Sequence, residues 1–460
     1  MYSSVNVIYL LFFIMILITA ITAVLLDFDF LQPAVIVDGM MTFSLFIALF
    51  KANQWGLQVN LNTAFVVIAA LLSFSIASFY SHWQCKRFSF SCDEDIFSYN
   101  IPNFNYFKIT LLIIIMVIFL YINAHEMYEL SLSLGNTGGY TNMIKTIRYP
   151  LERGEIILGT RFTQYRTYFA MVCAFVSFYI FVENVLSERK VIIENFLYLL
   201  PMIIYFPFTV LTTGRYEMIR VVVFQCLTFC ILYLKKHGFK QLYVKYTFLL
   251  FAIGMMVIVG LFLVMGMLTG KGLSDSRPVF DVLAHYIGLS IPALNQFLYE
   301  IPIEDNLIGK NTLVGIYGNL NSLGFDLKTS KNFLEFVQFT GIDTNVYTMI
   351  RREISDYGYV GMVLVLYFWG LVFTFLYEKI KSIGHHSILT IFYCTNVYVL
   401  FLLFHTERFM ELITTKTLYQ LLLTILVYSF LKDRFSYRIK EKVKKAIFAR
   451  RFNEKSNKYD

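Results

Sequence analysis

Charge is what this chain has least of. Asp, Glu, Lys and Arg make up 15% of its 460 residues and apolar types 57%, whereas an ordinary soluble domain is about a quarter charged. That balance excludes a water-soluble enzyme, and no nucleic-acid partner is expected. No Lys or Arg precedes Lys51. The first apolar stretch has neither a basic leader nor a small-residue cleavage site, so it does not read as a signal peptide. Cysteine is sparse as well. Cys173, Cys226, Cys230 and Cys394 fall in apolar runs, and Cys85 and Cys92 in one polar stretch, which gives neither a disulfide framework nor a metal-ligand spacing. Thr269-Gly270-Lys271-Gly272 lacks the spacer and the following Ser or Thr of a phosphate-binding loop. Neither a metal nor a cofactor is expected.

What is present is hydrophobic length. A helix needs about 20 mostly apolar residues to cross a bilayer, because every backbone polar group must be bonded within the segment. Eleven segments meet that criterion, near 4–26, 33–50, 61–81, 106–124, 164–185, 192–211, 217–234, 244–268, 356–378, 387–404 and 412–430. The second is short enough to be re-entrant instead. The expected architecture is an all-α polytopic membrane protein of about 11 transmembrane helices. Residues 1–268 hold eight spans, with an outer loop at about 125–163. Residues 269–355 form one large extracytoplasmic loop containing amphipathic helices. Residues 356–430 hold three more spans, and 431–460 form a basic tail. That tail has eleven basic residues against four acidic ones, which places it in the cytoplasm. The insert at 269–355 then lies outside, together with Met1.

The insert is far longer than a connection requires, and long loops are usually functional or disordered. Its aromatic and aliphatic content argues against disorder. Basic residues are also sorted by type. Outside the tail, the inner side carries nine lysines but only Arg87 and Arg189. The outer side carries seven lysines and Arg148, Arg153, Arg161, Arg166, Arg215, Arg220, Arg277, Arg351, Arg352 and Arg408. Topology requires positive charge inside and is indifferent to which residue supplies it. A guanidinium, however, is a rigid fork that matches phosphate and carboxylate bidentately and stays charged when partly desolvated. Arginines gathered on the outer side suit an anionic headgroup. The plain alternative is that each pairs with a nearby carboxylate, as Arg220 would with Glu217 one turn away.

Three stretches hold the candidates. The short outer turn TTGRYEMIR places Arg215 and Tyr216 at the start of a span, where the helix dipole also favours an anion, with Arg220 just inside. The loop from Ala124 to Tyr165 puts Arg161 and Arg166 at the mouth of the next span, and Pro150 and Gly154 argue against one continuous helix there. In the insert, Arg277 precedes an apolar spacing over 279–289 that suits a helix on or dipping into the membrane. Asp281 lies one turn before His285, where a carboxylate can orient an imidazole as a general base. A purely structural histidine is the alternative. The insert closes on NVYTMIRREISDYGYVG, where Tyr347 and Arg351 share a helix face and Arg352 reaches towards Asp356. His405, Glu407 and Arg408 form a small outer turn that could reach a site between the bundle and the insert.

In their order, TGRYEMIR, HYIGLSIPALNQFL with GKNTLVGIYGNL, and NVYTMIRREISDYGYVG resemble the Wzy-type polymerases that join O-antigen and capsular oligosaccharide repeat units. Many spans with one dominant late outer loop are similar too. Arg148 with Gly159 and Arg277 with Gly288 reproduce an Arg–Gly spacing described in some members. The resemblance implies a metal-independent glycosyltransferase in the bacterial cytoplasmic membrane, with its site on the outer face. Its substrates would be polyprenyl-pyrophosphate-linked oligosaccharides within membrane lipid, and a chain-length regulator protein would be a further partner. Arg215, Arg277 and Arg351 would hold pyrophosphate, with Arg161, Arg166, Arg220, Arg352, Arg408, Tyr216 and Tyr347 around the substrate. His285, oriented by Asp281, would act on the acceptor hydroxyl. An O-antigen ligase would have a similar architecture. A flippase for the same lipid-linked sugars would have shorter loops and charges inside its spans.

Overall fold

The structure is a computed structural model. It describes residues 4–87, 105–152, 161–187, 195–212, 216–239, 279–299, 308–327, 334–382 and 386–432, with a few isolated positions between them. The chain is predominantly helical. In order, its elements are α1 (Ser4–Leu25), α2 (Pro33–Trp55), α3 (Leu61–Arg87), α4 (Tyr106–Ser133), α5 (Tyr140–Glu152), α6 (Arg161–Leu186), α7 (Leu200–Leu211) and α8 (Tyr216–Lys236). There follow α9 (Val279–Gly288), α10 (Ser290–Tyr299), α11 (Val314–Asn321), the strands β1 (Val337–Phe339) and β2 (Ile342–Thr344), α12 (Met349–Lys381), α13 (Ser387–Asn396), α14 (Tyr398–Leu402) and α15 (Thr415–Leu431).

Among the described residues, seven helices are long and apolar enough to cross a membrane: α1, α2, α3, α4, α6, α8 and α12. Three further apolar helices are shorter, at Leu200–Leu211, Ser387–Leu402 and Thr415–Leu431. Most of the expected span at 244–268 lies outside the described residues, as does all of the tail beyond Lys432. The segment read as short or re-entrant is a continuous 23-residue helix, α2. Pro33 starts it where a missing N–H costs nothing. It runs on past Lys51, because that side chain reaches out over the rings of Trp55 and Phe280 instead of ending the helix. Gly56 stops it in the left-handed region at φ +62, with its N–H on the carbonyl of Ala52.

Small residues set the closest helix pair, α3 against α12. The backbone carbonyl of Phe74 lies where a side chain on Gly370 would begin, and Ser73 Oγ donates to the carbonyl of Val363 at 2.6 Å. Gly358, at φ 68 and ψ −173, breaks α12 into a charged segment before it and an apolar one after it. Few residues but glycine adopt that backbone.

The insert is not wholly helical. It carries an antiparallel hairpin with Val337 opposite Thr344 and Phe339 opposite Ile342, turning at Gly341. Nor does its first helix lie loose on a surface. Gly288 lets α9 approach the backbone of Ala48 in α2, and Ser44 Oγ donates to the carbonyl of Ile287 at 2.6 Å. The buried α10 follows, with Asn295 Oδ1 accepting from Asn60 N and Thr63 Oγ1 at 2.9 and 2.8 Å. Thr340 N donates to the carbonyl of Trp55. In the 125–163 loop the helical run breaks at Leu134–Gly139, and Pro150 sits near the end of α5 instead of dividing it.

The two ends of the bundle differ chemically. At the end away from the insert, Lys381 Nζ pairs with Asp29 at 2.9 Å, Lys86 with Asp27, and Lys432 with Glu183 at 2.6 Å. Lys236 and Lys108 there donate to the carbonyls of Leu186 and Phe430. His82 Nδ1 meets Glu378 Oε1 at 2.7 Å and Tyr377 donates to Asp29, which joins α3 and α12 to the turn after α1. The insert end is where arginines gather.

Candidate functional site at the insert end

Four arginines from three parts of the chain meet where α8, α12 and α15 begin. Thr348 and Met349 open α12, and the N–H of Met349 donates to the carbonyl of Leu403 at 2.8 Å, tying the helix start to the turn after α14. Two residues on, the side chain of Arg351 is 8% exposed. Its guanidinium lies 4.5 Å from the ring centre of Phe297 in α10 and 5.5 Å from that of Tyr347. Its Nε and Nη2 form a bidentate pair with Glu335, at 3.2, 2.6 and 2.7 Å, and Nη1 reaches Ser355 Oγ. Tyr347 is buried and donates through its hydroxyl to the Glu335 carbonyl.

Arg352 donates to the carbonyl of Asn311 at 2.7 Å. Asp356 is the anchor beside it. Its carboxylate accepts from the backbone N–H groups of Asn311 and Thr312, from Asn311 Nδ2 and from Thr312 Oγ1, all within 3.1 Å. Sequence spacing places Arg352 opposite Asp356, but the carboxylate is taken by four donors of Asn311 and Thr312 and Arg352 turns to the Asn311 carbonyl. Tyr357 closes the group with a 2.7 Å contact to Thr312 Oγ1.

Behind these lies a buried acid pair. Glu353 has no exposed surface, and neither carboxylate oxygen has a hydrogen-bond partner among the described residues. Its electrostatic neighbours are Glu407 and Asp356. Glu407, in the turn before α15, accepts from Met410 N at 3.0 Å. Burial raises its carboxyl to about 7, with Glu411 pushing it further up and Arg352 and the Met410 N–H opposing. Burying two carboxylates within electrostatic reach of one another disfavours ionising both, because that would leave unpaired charges in a low dielectric.

Arg408 lies 4.0 Å from the ring centre of Tyr216, and its Nη1 alone donates to both oxygens of Glu411 at 2.8 Å each. Arg220 is buried. Its Nε donates to the Thr395 carbonyl at 3.0 Å and its Nη2 to Gln420 Oε1 at 3.1 Å, and it lies 4.8 Å from the ring of Tyr398. Glu217, its partner in the alternative reading, forms an ion pair with Nη1 at 3.8 Å.

The structure thus brings Arg220, Arg351, Arg352, Arg408, Tyr216 and Tyr347 to one end. The other candidates pair outside this cluster or lie outside the described residues. Arg166 turns towards α4, with Nε on Asn123 Oδ1 at 2.6 Å and Nη2 on Glu126 at 2.6 Å. Asp281, expected to orient His285, forms a 2.6 Å ion pair with Lys51, since the close packing of α9 on α2 offers it a full positive charge. His285 stacks against Tyr286 with ring centres 5.2 Å apart. Arg215, Arg277, Gly159 and the side chain of Arg161 lie outside the described residues. Sequence reading missed Glu335, Glu353, Glu411, Gln420 and Lys51 as participants. For Glu353 a signal exists, since a carboxylate follows two arginines at the start of an apolar span. No protein-family model matches this chain, and no curated protein or solved structure matches it.

Proposed function

We propose that this protein is a polysaccharide polymerase of the O-antigen or capsule type, acting at the outer face of a bacterial cytoplasmic membrane. The observation that carries the reading is the gathering of Arg220, Arg351, Arg352 and Arg408 at the insert end, interleaved with Tyr216, Tyr347, Tyr398 and Phe297. In this reading the insert end faces outward and the lysine-rich end faces the cytoplasm.

The donor is a growing glycan on polyprenyl pyrophosphate. A hydroxyl oxygen at the non-reducing end of a new lipid-linked repeat unit attacks the anomeric carbon. The bond from that carbon to the pyrophosphate oxygen breaks, and polyprenyl pyrophosphate leaves with the electron pair. Arg215, Arg277 and Arg351 stabilise that charge, supported by Arg161, Arg166, Arg220, Arg352 and Arg408. The hydroxyl proton passes to His285. Of the rings beside the arginines, the exposed Tyr216 suits sugar stacking, whereas Tyr347, Tyr398 and Phe297 are buried.

The test is polymerisation of a defined lipid-linked repeat unit by the purified protein, with glycan ladders from cells alongside. Arg215→Ala and Arg277→Ala should each abolish polymer while single units remain attached and protein level is unchanged. Normal polymer from both variants would defeat the site assignment. Loss of all attached glycan would indicate a ligase instead.

A further inference from the structure

The pairing of Arg351 with Glu335 is lopsided. The guanidinium side chain is 8% exposed and the carboxylate side chain 51%. Arg351 is held by the rings of Phe297 and Tyr347 and by the hydroxyl of Ser355. Its remaining edge, Nε and Nη2, meets both oxygens of Glu335. Glu335 comes from the irregular segment before β1, beside the exposed Phe336. A built, buried fork is therefore closed by a side chain half in water. A similar asymmetry recurs at Arg408, which is 15% exposed, stacks on Tyr216, and donates through Nη1 to both oxygens of Glu411, which is 53% exposed. Arg352 lies within electrostatic reach of Arg351, Arg408 and Glu411.

We infer that Glu335 and Glu411 are internal occupants of anion sites on Arg351 and Arg408, and that a phosphate-type dianion takes these forks when the carboxylates swing into solvent. A carboxylate presents two oxygens to a guanidinium much as a phosphoryl group does. The shape and charge of the site are thus filled by the chain itself. A fork at Arg351 and a second capped guanidinium at Arg408, both within electrostatic reach of Arg352, suit a ligand with two phosphoryl groups. The identity of the natural ligand as a lipid pyrophosphate rests on the polymerase reading. The exchange of carboxylate for phosphate does not.

The experiment uses the full chain in lipid nanodiscs, with thermal unfolding followed against inorganic pyrophosphate. Glu335→Gln removes the charge and the bidentate match. We expect the half-saturating pyrophosphate concentration to fall about tenfold relative to the unsubstituted protein. Glu335→Asp, which keeps the charge but shortens the reach, should give a smaller fall and serves if the glutamine variant does not fold. Adding Arg351→Gln to Glu335→Gln should abolish the gain. Unchanged or weaker binding in both Glu335 variants, or a gain that survives loss of Arg351, would overturn the inference. Nanodiscs carrying a polyprenyl phosphate separate the sources: stabilisation by the lipid that free pyrophosphate competes away assigns the fork to a headgroup, and no competition assigns it to free anion. Tighter pyrophosphate binding without any polymerisation would retain the exchange and discard the polymerase reading. Polymerisation without tightening would do the reverse.

Discussion

Arg220 Nε donates to the backbone carbonyl of Thr395 at 3.0 Å, a bond between α8 and α13 across 175 positions of sequence. With Nη2 on Gln420 of α15, the one guanidinium joins three helices beneath the insert end. Arg220→Ala leaves a buried carbonyl and a buried amide oxygen without their donor, at about 1–3 kcal/mol each. We expect a lower unfolding temperature in detergent and reduced protein level, with Arg220→Lys recovering only part. A variant of normal stability that had lost only activity would show that the three-helix tie is not the main role of Arg220.

Glu407 gives a pH dependence of defined sign. Its folded carboxyl is raised to about 7 from an ordinary 4.5. The stability it contributes is therefore fully present below about pH 4.5 and is lost as pH rises to about 7, on the order of 3 kcal/mol at most. Glu407→Gln keeps an oxygen for Met410 N and removes the titration. Unfolding temperatures from pH 5 to 8 should fall more steeply for the unsubstituted protein than for the variant. Parallel slopes would rule out Glu407 as the titrating group.

Asp356 fastens the middle of the insert, taking hydrogen bonds from Asn311 and Thr312 through backbone and side chain alike. Bonds to a charged acceptor are worth about 1.5–3 kcal/mol each in favourable settings. Asp356→Ala should release the 308–327 segment, read as limited proteolysis between Ile308 and Leu327 while the apolar helices stay protected. Asp356→Asn, with one oxygen kept, should be cut more slowly. Equal resistance in all three proteins would contradict this anchoring.

Much of the bundle was legible in the residues. Apolar runs of spanning length became the helices α1, α6 and α8 within a few residues, and α3 and α4 begin where expected but run on to Arg87 and Ser133, since burial and backbone satisfaction act locally along a segment. The expected end of α2 at residue 50 fell short, because a lysine in an apolar run reads as an end until its ammonium is seen over the rings of Trp55 and Phe280. The break at Gly358 inside α12 was hidden for a similar reason: a glycine in a helix pattern does not reveal its φ.

The candidate site divides the same way. Sorting by predicted side separated lysines from arginines, and the structure places lysine partners at one end and four of the arginines at the other. Partner choice was beyond reach. Asp281 has His285 one turn away in sequence yet binds Lys51 from α2, and Arg351 takes Glu335 from the far side of the hairpin. Spacing along a helix constrains only neighbours on that helix. A charge finds its partner among whatever elements packing brings within a few ångströms, and that was decided by Gly288 against Ala48 and by the tie of Met349 to Leu403. By itself, the sequence determined that the chain is built of membrane-length helices and where its arginines concentrate. Tertiary structure decided which carboxylates hold those arginines, because ion pairing follows distance in space and not along the chain.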